Sequence, residues 1–506
     1  MGELAAKALA KDARVTEAKR LLREALAEHQ KALTGIRPPD PALRKSYAET
    51  LARFSALRGA ALYYPYLGSG LGNGALVELA DGSVKYDFIT GIGVHYLGHN
   101  HPALLAVGVD AALGNTVMQG NLQQNVESES LARRLLEGAN RKGAQMAHAF
   151  ITSSGAMANE NALKILFQKR YPANRVLAFE HCFAGRTLAL SQVTDKPAYR
   201  QGLPETLAVD YVPFYNPARP SESIAEAVAA VKSHILRHPG AHACMIFELI
   251  QGEGAGYLPG DPAFFRILMQ ILKAAGVAVF VDEIQTFGRT SEYFAFQHFG
   301  LDEFVDAVTL GKLSQACATL VRAEFKPKPG LVSQTFTASS VSVHAARAIL
   351  RHMQDGGLLG AEGKIMRLSR RFTDKLKDLS RRHPDLAAGP YGLGGMIAFT
   401  PLGGAADKVT LFLRKLFDAG VIGFIAGDKP ARARFLLPVG STEESDIDAA
   451  FPILEQVLLE TAEETSKESW KAGAATAKPV PAADTVGGAA KTATGAATGS
   501  VKKGKG

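Results

Sequence analysis

At 506 residues the chain exceeds one simple core and implies two or more domains, and its 47% hydrophobic and 21% charged residues are ordinary for a globular protein. No apolar run is long enough to span a membrane, and three widely spaced cysteines (Cys182, Cys244, Cys317) argue against a disulfide framework or a zinc site. Of the net charge of +8, +5 falls in the tail 471–506, so the body is nearly balanced and is not a basic nucleic-acid surface.

Residues 1–19 intersperse Glu, Lys and Asp without an apolar segment, so no secretory signal is expected and a reducing cytoplasm is the expected setting. Helical spacing over residues 3–34 is stopped by Gly35, Pro38 and Pro39, and a second helix is predicted over 41–57. Together they make an N-terminal arm, 1–60. Residues 63–74, aromatic and then glycine-rich, read as an irregular loop bordering a pocket. Two strands, 75–79 and 84–88, flank Asp81-Gly82, a hairpin signal. His95, His99 and His101 crowd together, but no carboxylate or cysteine completes a metal set, and no metal is expected.

From Pro102 to about Ser340, helical stretches alternate with short apolar runs, the pattern of a parallel sheet covered by helices. Strands are predicted at 147–152, 175–179, 243–247, 277–281 and 307–309. A helix over 341–355 leads into a smaller α+β domain with a helix at 364–379, strands near 395–399, 421–424 and 434–437, and a last helix at 446–463. The expected fold is therefore α/β: a large domain at 61–345, with 61–100 contributing to the small domain or the pocket rim, and a small domain at 346–463. From 464 the Ala/Gly/Lys-rich composition cannot bury enough apolar area to offset ordering entropy, and disorder is expected. The basic tail is the one part expected to meet an acidic partner such as nucleic acid.

Two runs carry the chemistry. Residues 277–285 (VAVFVDEIQ) deliver a carboxylate and an amide where a buried strand ends; 307–312 (AVTLGK) deliver an amine at the end of another. Acid, amide and lysine at adjacent strand ends fit pyridoxal phosphate (PLP), whose ring nitrogen stays protonated beside a carboxylate and whose aldehyde condenses with a lysine. Residues 151–156 (ITSSGA) run from a strand into a helix. Small residues there allow close backbone approach, and free N–H groups at the positive dipole end make a phosphate cup.

Residues 153–164 (SSGAMANENALK) resemble the class III aminotransferase motif N/S-S-G-x-x-A-x-E-x-A-L-K. Residues 183–187 (FAGRT), 250–254 (IQGEG), 282–286 (DEIQT) and 309–312 (TLGK) resemble further motifs of that family, in its order and over roughly residues 60–460. The resemblance implies PLP-dependent transferase fold type I and a homodimer with active sites at its interface. It implies that Lys312 condenses with the cofactor and then moves the substrate proton, and that Asp282 pairs with the ring nitrogen. By the same resemblance Gln285 bonds the ring hydroxyl, Phe183 stacks on the ring, and Gly155 and Ala156 hold the phosphate. Residues 334–336 (QTF) resemble a segment in which a threonine, here Thr335, reaches the neighbouring subunit's phosphate. The following residues 337–340 (TASS) depart from the family's Gly-Gly-Asn. Residues 431–438 (ARARFLLP) resemble R-F-x-P-P, with Arg434 gripping a substrate carboxylate and Glu253 alternately pairing with and releasing it; Arg186 holds the distal carboxylate.

The implied substrates are a small-molecule amino donor and 2-oxoglutarate, with a semialdehyde and glutamate as products. Residues 154–156 and 311–317 look more like lysine 6-aminotransferases, then 4-aminobutyrate aminotransferases, than acetylornithine or ornithine enzymes, which stand as the alternative. Ala184 replaces the family histidine, and 282–288 is one glycine short of Q-T-G-F/C-G. A rival of another class is a fold homologue without turnover that binds partners through its basic tail.

Overall fold

The computed structural model describes residues 3–476, and residues up to Ala462 form one compact unit. The arm comprises α1 (Ala5–Ala10), α2 (Ala13–Gln30) and α3 (Arg44–Arg58). The first predicted helix breaks in two at Asp12, whose carboxylate caps the N-terminus of α2 by accepting from Arg14 N–H. Strands β1 (Gly68–Asn73), β2 (Leu76–Leu79) and β3 (Val84–Asp87) follow. The hairpin at Asp81-Gly82 forms as predicted, pairing Leu76 with Tyr86 and Glu78 with Val84. The expected loop at 63–74 is only half a loop, because β1 pairs antiparallel with β2. Its glycines hide it from side-chain periodicity, and a register shift between Gly68 and Gly72 marks the irregularity. The short strand Val421–Ile422 joins β3 in parallel, so this early segment shares a sheet with the C-terminal part of the chain.

Helices α4 (Pro102–Ala112) and α5 (Val126–Ala139) lead to the central sheet. Its strands are β4 (Met146–Thr152), β5 (Arg175–Phe179), β6 (Ala208–Val212), β7 (His242–Phe247), β8 (Ala278–Glu283), β9 (Ala307–Leu310) and β10 (Cys317–Arg322). They lie in the order β4-β10-β9-β8-β7-β5-β6, all parallel except β10, which is antiparallel to both neighbours. Alternation along each strand sorts the core into two layers. Ala278 and Phe280 of β8 join Ala162, Leu163 and Leu166 of α6 (Gly155–Arg170) on one face. Val279 and Val281 join Phe264, Leu268 and Leu272 of α8 (Pro262–Ala274) on the other; α7 (Pro220–Arg237) precedes α8.

Helix α9 (Ser340–Asp355) and α10 (Lys364–Arg382) then lead into an antiparallel sheet. Its strands β11 (Ala387–Leu393), β12 (Met396–Pro401), β13 (Phe424–Ala426) and β14 (Arg432–Leu436) lie in the order β11-β12-β14-β13, with α11 (Ala406–Asp418) inserted between β12 and β13. The last helix, α12 (Glu444–Thr476), outruns its predicted end at 463, and the rest of the segment expected to be disordered lies outside the described residues. No helix among the described residues is long and apolar enough to cross a membrane.

Candidate active site

The carboxyl ends of β4, β5, β7, β8 and β9 open into one cavity of about 920 Å³. Its wall contains Gly155, Ala156, Phe183, Arg186, Glu253, Asp282, Gln285 and Lys312. Eight of the ten residues singled out from the sequence therefore meet in one place. Arg434 lies behind the wall, and Thr335 is exposed and outside this cavity.

Lys312 follows β9 directly, at φ 49°, a left-handed conformation that costs energy for a non-glycine residue. Burial of its ammonium, with Arg434 nearby, pushes its pKa down to about 8, against the pull of Asp282, Glu253 and Glu248. Asp282 ends the adjacent strand. Its Oδ1 accepts from Ile284 N–H at 2.9 Å and its Oδ2 from Asn159 Nδ2 at 2.7 Å. Burial raises its pKa, and these two bonds together with Lys312 oppose the rise. The neighbouring Glu283 faces away and is fully buried, accepting from Ala295 and Phe296 N–H at 2.7 and 2.8 Å. The two adjacent acids thus point to opposite sides of the strand end, one to the cavity and one to the scaffold.

Helix α6 begins at Gly155, with Ser154 as its cap: Ser154 Oγ accepts from Met157 N–H at 3.2 Å. A Cβ on Gly155 would come within 2.8 Å of Ile284 Cγ2, so a small residue is needed to seat this helix end against the end of β8. Gln285 lies beneath Gly252, where any Cβ would approach Gln285 Oε1 to 2.5 Å; that buried oxygen has no hydrogen-bond partner among the described residues. Phe183 sits on the loop after β5, and its N–H donates to Glu248 Oε2 at 2.7 Å.

Glu253 forms an ion pair with Arg434 from β14, whose side chain is fully buried. The guanidinium rests 5.3 Å from the Phe424 ring centroid and 5.7 Å from that of Tyr257, and its Nε and Nη1 have no hydrogen-bond partner among the described residues. Arg186 is exposed, 4.4 Å from the Tyr199 centroid and 5.6 Å from that of Phe183, and forms no ion pair among the described residues.

Two residues central to this arrangement were not singled out from the sequence. Asn159, on the first turns of α6, is buried and ties three segments together: it donates to Asp282 and to the Ala184 carbonyl (2.8 Å) and accepts from Thr309 Oγ1 (2.7 Å). Its place in the 153–164 motif was the only signal. Glu248, just past β7, is pushed up to about 8 by burial and by Asp282. The run from Glu248 to Gly254 was read only from Ile250 onward. Of the three crowded histidines, His99 pairs with Asp87 at 3.0 Å, His95 packs on His99, and His101 caps α4.

These residues fit PLP: a partly buried amine of lowered proton affinity, a buried carboxylate, an unpartnered amide oxygen and a helix N-terminus share one cavity. The chain from residue 69 to 458 matches the family model described as "Aminotransferase class-III". An acetylornithine aminotransferase of Listeria monocytogenes is 30% identical over 393 residues, covering 76% of this chain and 93% of the relative. A succinylornithine transaminase of Photorhabdus laumondii is 30% identical over 404 residues, covering 76% and 92%. In fold the chain is similar to a Bacillus anthracis aminotransferase (TM-score 0.73, 18% identity, covering 82% of this chain and 99% of that one). It is also similar to a lysine aminotransferase of M. tuberculosis (TM-score 0.71, 24% identity, covering 81% and 99%).

Proposed function

The chain belongs to the class III aminotransferases, PLP-dependent enzymes of fold type I that act on an amino donor and a keto acid, and we propose that it moves the terminal amino group of a diamino or ω-amino acid to 2-oxoglutarate. The products are a semialdehyde and glutamate. The observation that carries this reading is the meeting of Lys312, Asp282 and the N-terminus of α6 in one cavity, whose wall includes Glu253, paired with Arg434 behind it.

When bound, PLP supplies an electron sink for the pair left behind when a proton leaves the substrate carbon. Asp282 holds the ring nitrogen protonated, and Asn159 fixes the orientation of that carboxylate. Gly155 and Ala156 N–H groups bind the phosphate, Gln285 the ring hydroxyl, and Phe183 covers one face. Lys312 would be the residue that holds the cofactor through its aldehyde. Its amine, whose proton affinity burial lowers, would serve as the base that takes the proton from the donor's terminal carbon. Arg434 binds the 2-oxoglutarate carboxylate once Glu253 swings away, and Glu253 neutralises it while an ω-amine donor is bound. Arg186 binds the carboxylate at the far end. The molecule works as a homodimer in which Thr335 of each subunit completes the other's phosphate site; its exposure supports this. The 30% identity to acetylornithine and succinylornithine enzymes supports a second reading, in which the donor is an acylated ornithine.

The test is glutamate formation from 2-oxoglutarate with a donor panel, in wild type and Lys312→Ala. Glutamate produced by wild type and abolished in the variant supports the proposal. A folded, PLP-loaded wild type that makes no glutamate from any donor overturns it.

A further inference from the structure

Part of the cavity wall is built on a backbone conformation that its own residues disfavour. Thr90, Gly91, Ile92 and Gly93 follow one another at φ of 51°, 64°, 61° and 85°. Bonds from Gly93 N–H to Ile89 O (2.8 Å) and from Val94 N–H to Thr90 O (2.9 Å) close them into a left-handed helical turn. Glycine reaches this region freely, but β-branched threonine and isoleucine do not, and left-handed runs are rare for L-residues. Such strain persists only where the surroundings over-determine it. Asp87, buried at the end of β3, supplies the first restraint: its Oδ1 accepts from Ile89 N–H at 3.1 Å and Thr90 N–H at 2.7 Å, and its Oδ2 pairs with His99 Nε2 at 3.0 Å.

The remaining restraints tie the turn to each working part of the site. Thr90 Oγ1 donates to the Leu436 carbonyl at 3.0 Å, on the strand that carries Arg434. Arg289, on the loop that follows Asp282 and Gln285, donates from Nη2 to the Gly93 carbonyl at 2.5 Å. Gln315, just past Lys312, donates from Nε2 to the Val94 carbonyl at 3.5 Å. Gly91, Ile92, Val94 and His95 meanwhile line the cavity. One strained turn therefore spaces the strand of Arg434 from the loop of Lys312. We propose that Asp87 and Thr90 are positioning residues for transamination: by holding this turn left-handed they fix where the reacting carbon rests between Arg434 and Lys312. The proposal rests on the transamination reading above. Both residues are buried and neither lines the cavity, so they act through Ile92 and its neighbours. Once released, the turn relaxes toward ordinary backbone angles and carries the wall with it, and a displacement of about 1 Å at the reacting carbon lowers the rate by up to about a hundredfold.

Three variants separate positioning from scaffolding. Asp87→Ala frees both N–H groups, Thr90→Val removes the hydroxyl at nearly constant shape, and Thr90→Ser keeps it. The measurements are kcat with 2-oxoglutarate and the donor that the panel ranks first, PLP affinity by titration of the cofactor-free protein, and melting temperature. We expect kcat to fall at least about tenfold in Asp87→Ala and about threefold in Thr90→Val, with Thr90→Ser within about twofold of wild type. PLP affinity should change by less than about twofold in all three, because the phosphate cup and Asp282 are untouched. A lowered melting temperature with kcat unmoved marks a purely structural role and overturns the proposal, as does a Thr90→Ser variant as slow as Thr90→Val. Should Asp87→Ala fail to fold, the Thr90 pair decides. If wild type makes no glutamate from any donor, the transamination reading fails instead, and the crystal structure of Thr90→Val decides the clamp. Residues 90–93 still at positive φ with Ile92 in place overturn it; a relaxed turn with Ile92 displaced supports it.

Discussion

Lys312→Met in the cofactor-free protein tests the enclosure of the amine directly. Burial moves Lys312 from an ordinary 10.5 to about 8, a difference worth roughly 3 kcal/mol between its charged and neutral forms. Because the folded-state value is depressed, Lys312 contributes its full stability only above about 10.5, and that contribution is lost as pH falls through about 8. At neutral pH the folded chain therefore carries a penalty that methionine, of similar length and uncharged, removes. The advantage of Lys312→Met over wild type should be largest near pH 6.5 and shrink by about 2 kcal/mol by pH 9.5. The surviving attraction of the ammonium to Asp282, Glu253 and Glu248 is already contained in the net shift. Urea unfolding of both proteins across that range, without PLP, measures the difference. An advantage that stays flat with pH, or grows as pH rises, would refute the picture of a desolvated cation.

Asn159→Ala leaves a carboxylate oxygen, a carbonyl and a hydroxyl in the interior without their partner, at about 1–3 kcal/mol each. Unfolding stability should fall by at least about 3 kcal/mol and PLP affinity with it, whereas Thr309→Val should cost only about 1 kcal/mol; equal losses in the two variants contradict the assigned network. Gly254→Ala would press a Cβ to 1.9 Å from the His181 carbonyl, with backbone on both sides of the clash. The segment carrying Glu253 must then shift, so a lowered melting temperature and a raised KM for 2-oxoglutarate are expected, and an unchanged KM would disconnect this loop from Arg434.

Local patterns made much of this protein readable in advance. The runs 277–285 and 307–312 announce buried strands by their β-branched and apolar residues, and they place Asp282 and Lys312 by the rule that ligands gather at the carboxyl ends of such strands. The helix N-terminus at Gly155 was legible because small residues followed a strand. Strand β10 was not among the predicted strands, and nothing local reveals that it runs antiparallel to its neighbours. Strand β1 escaped because glycines leave no side-chain pattern.

What only the tertiary structure decided is pairing between residues distant in the chain. Asn159 meets Asp282 and Thr309 across more than a hundred residues, Glu253 meets Arg434, and Tyr199 gathers Arg186 and Lys196 on one ring. Periodicity and motif spacing describe what a residue does to its own backbone and which face it presents. Hydrogen-bond partners and ion pairs are set by where the folded chain brings separate segments together, so the strand ends and the helix N-terminus were written locally while the Asn159 network and the Glu253–Arg434 pair were not.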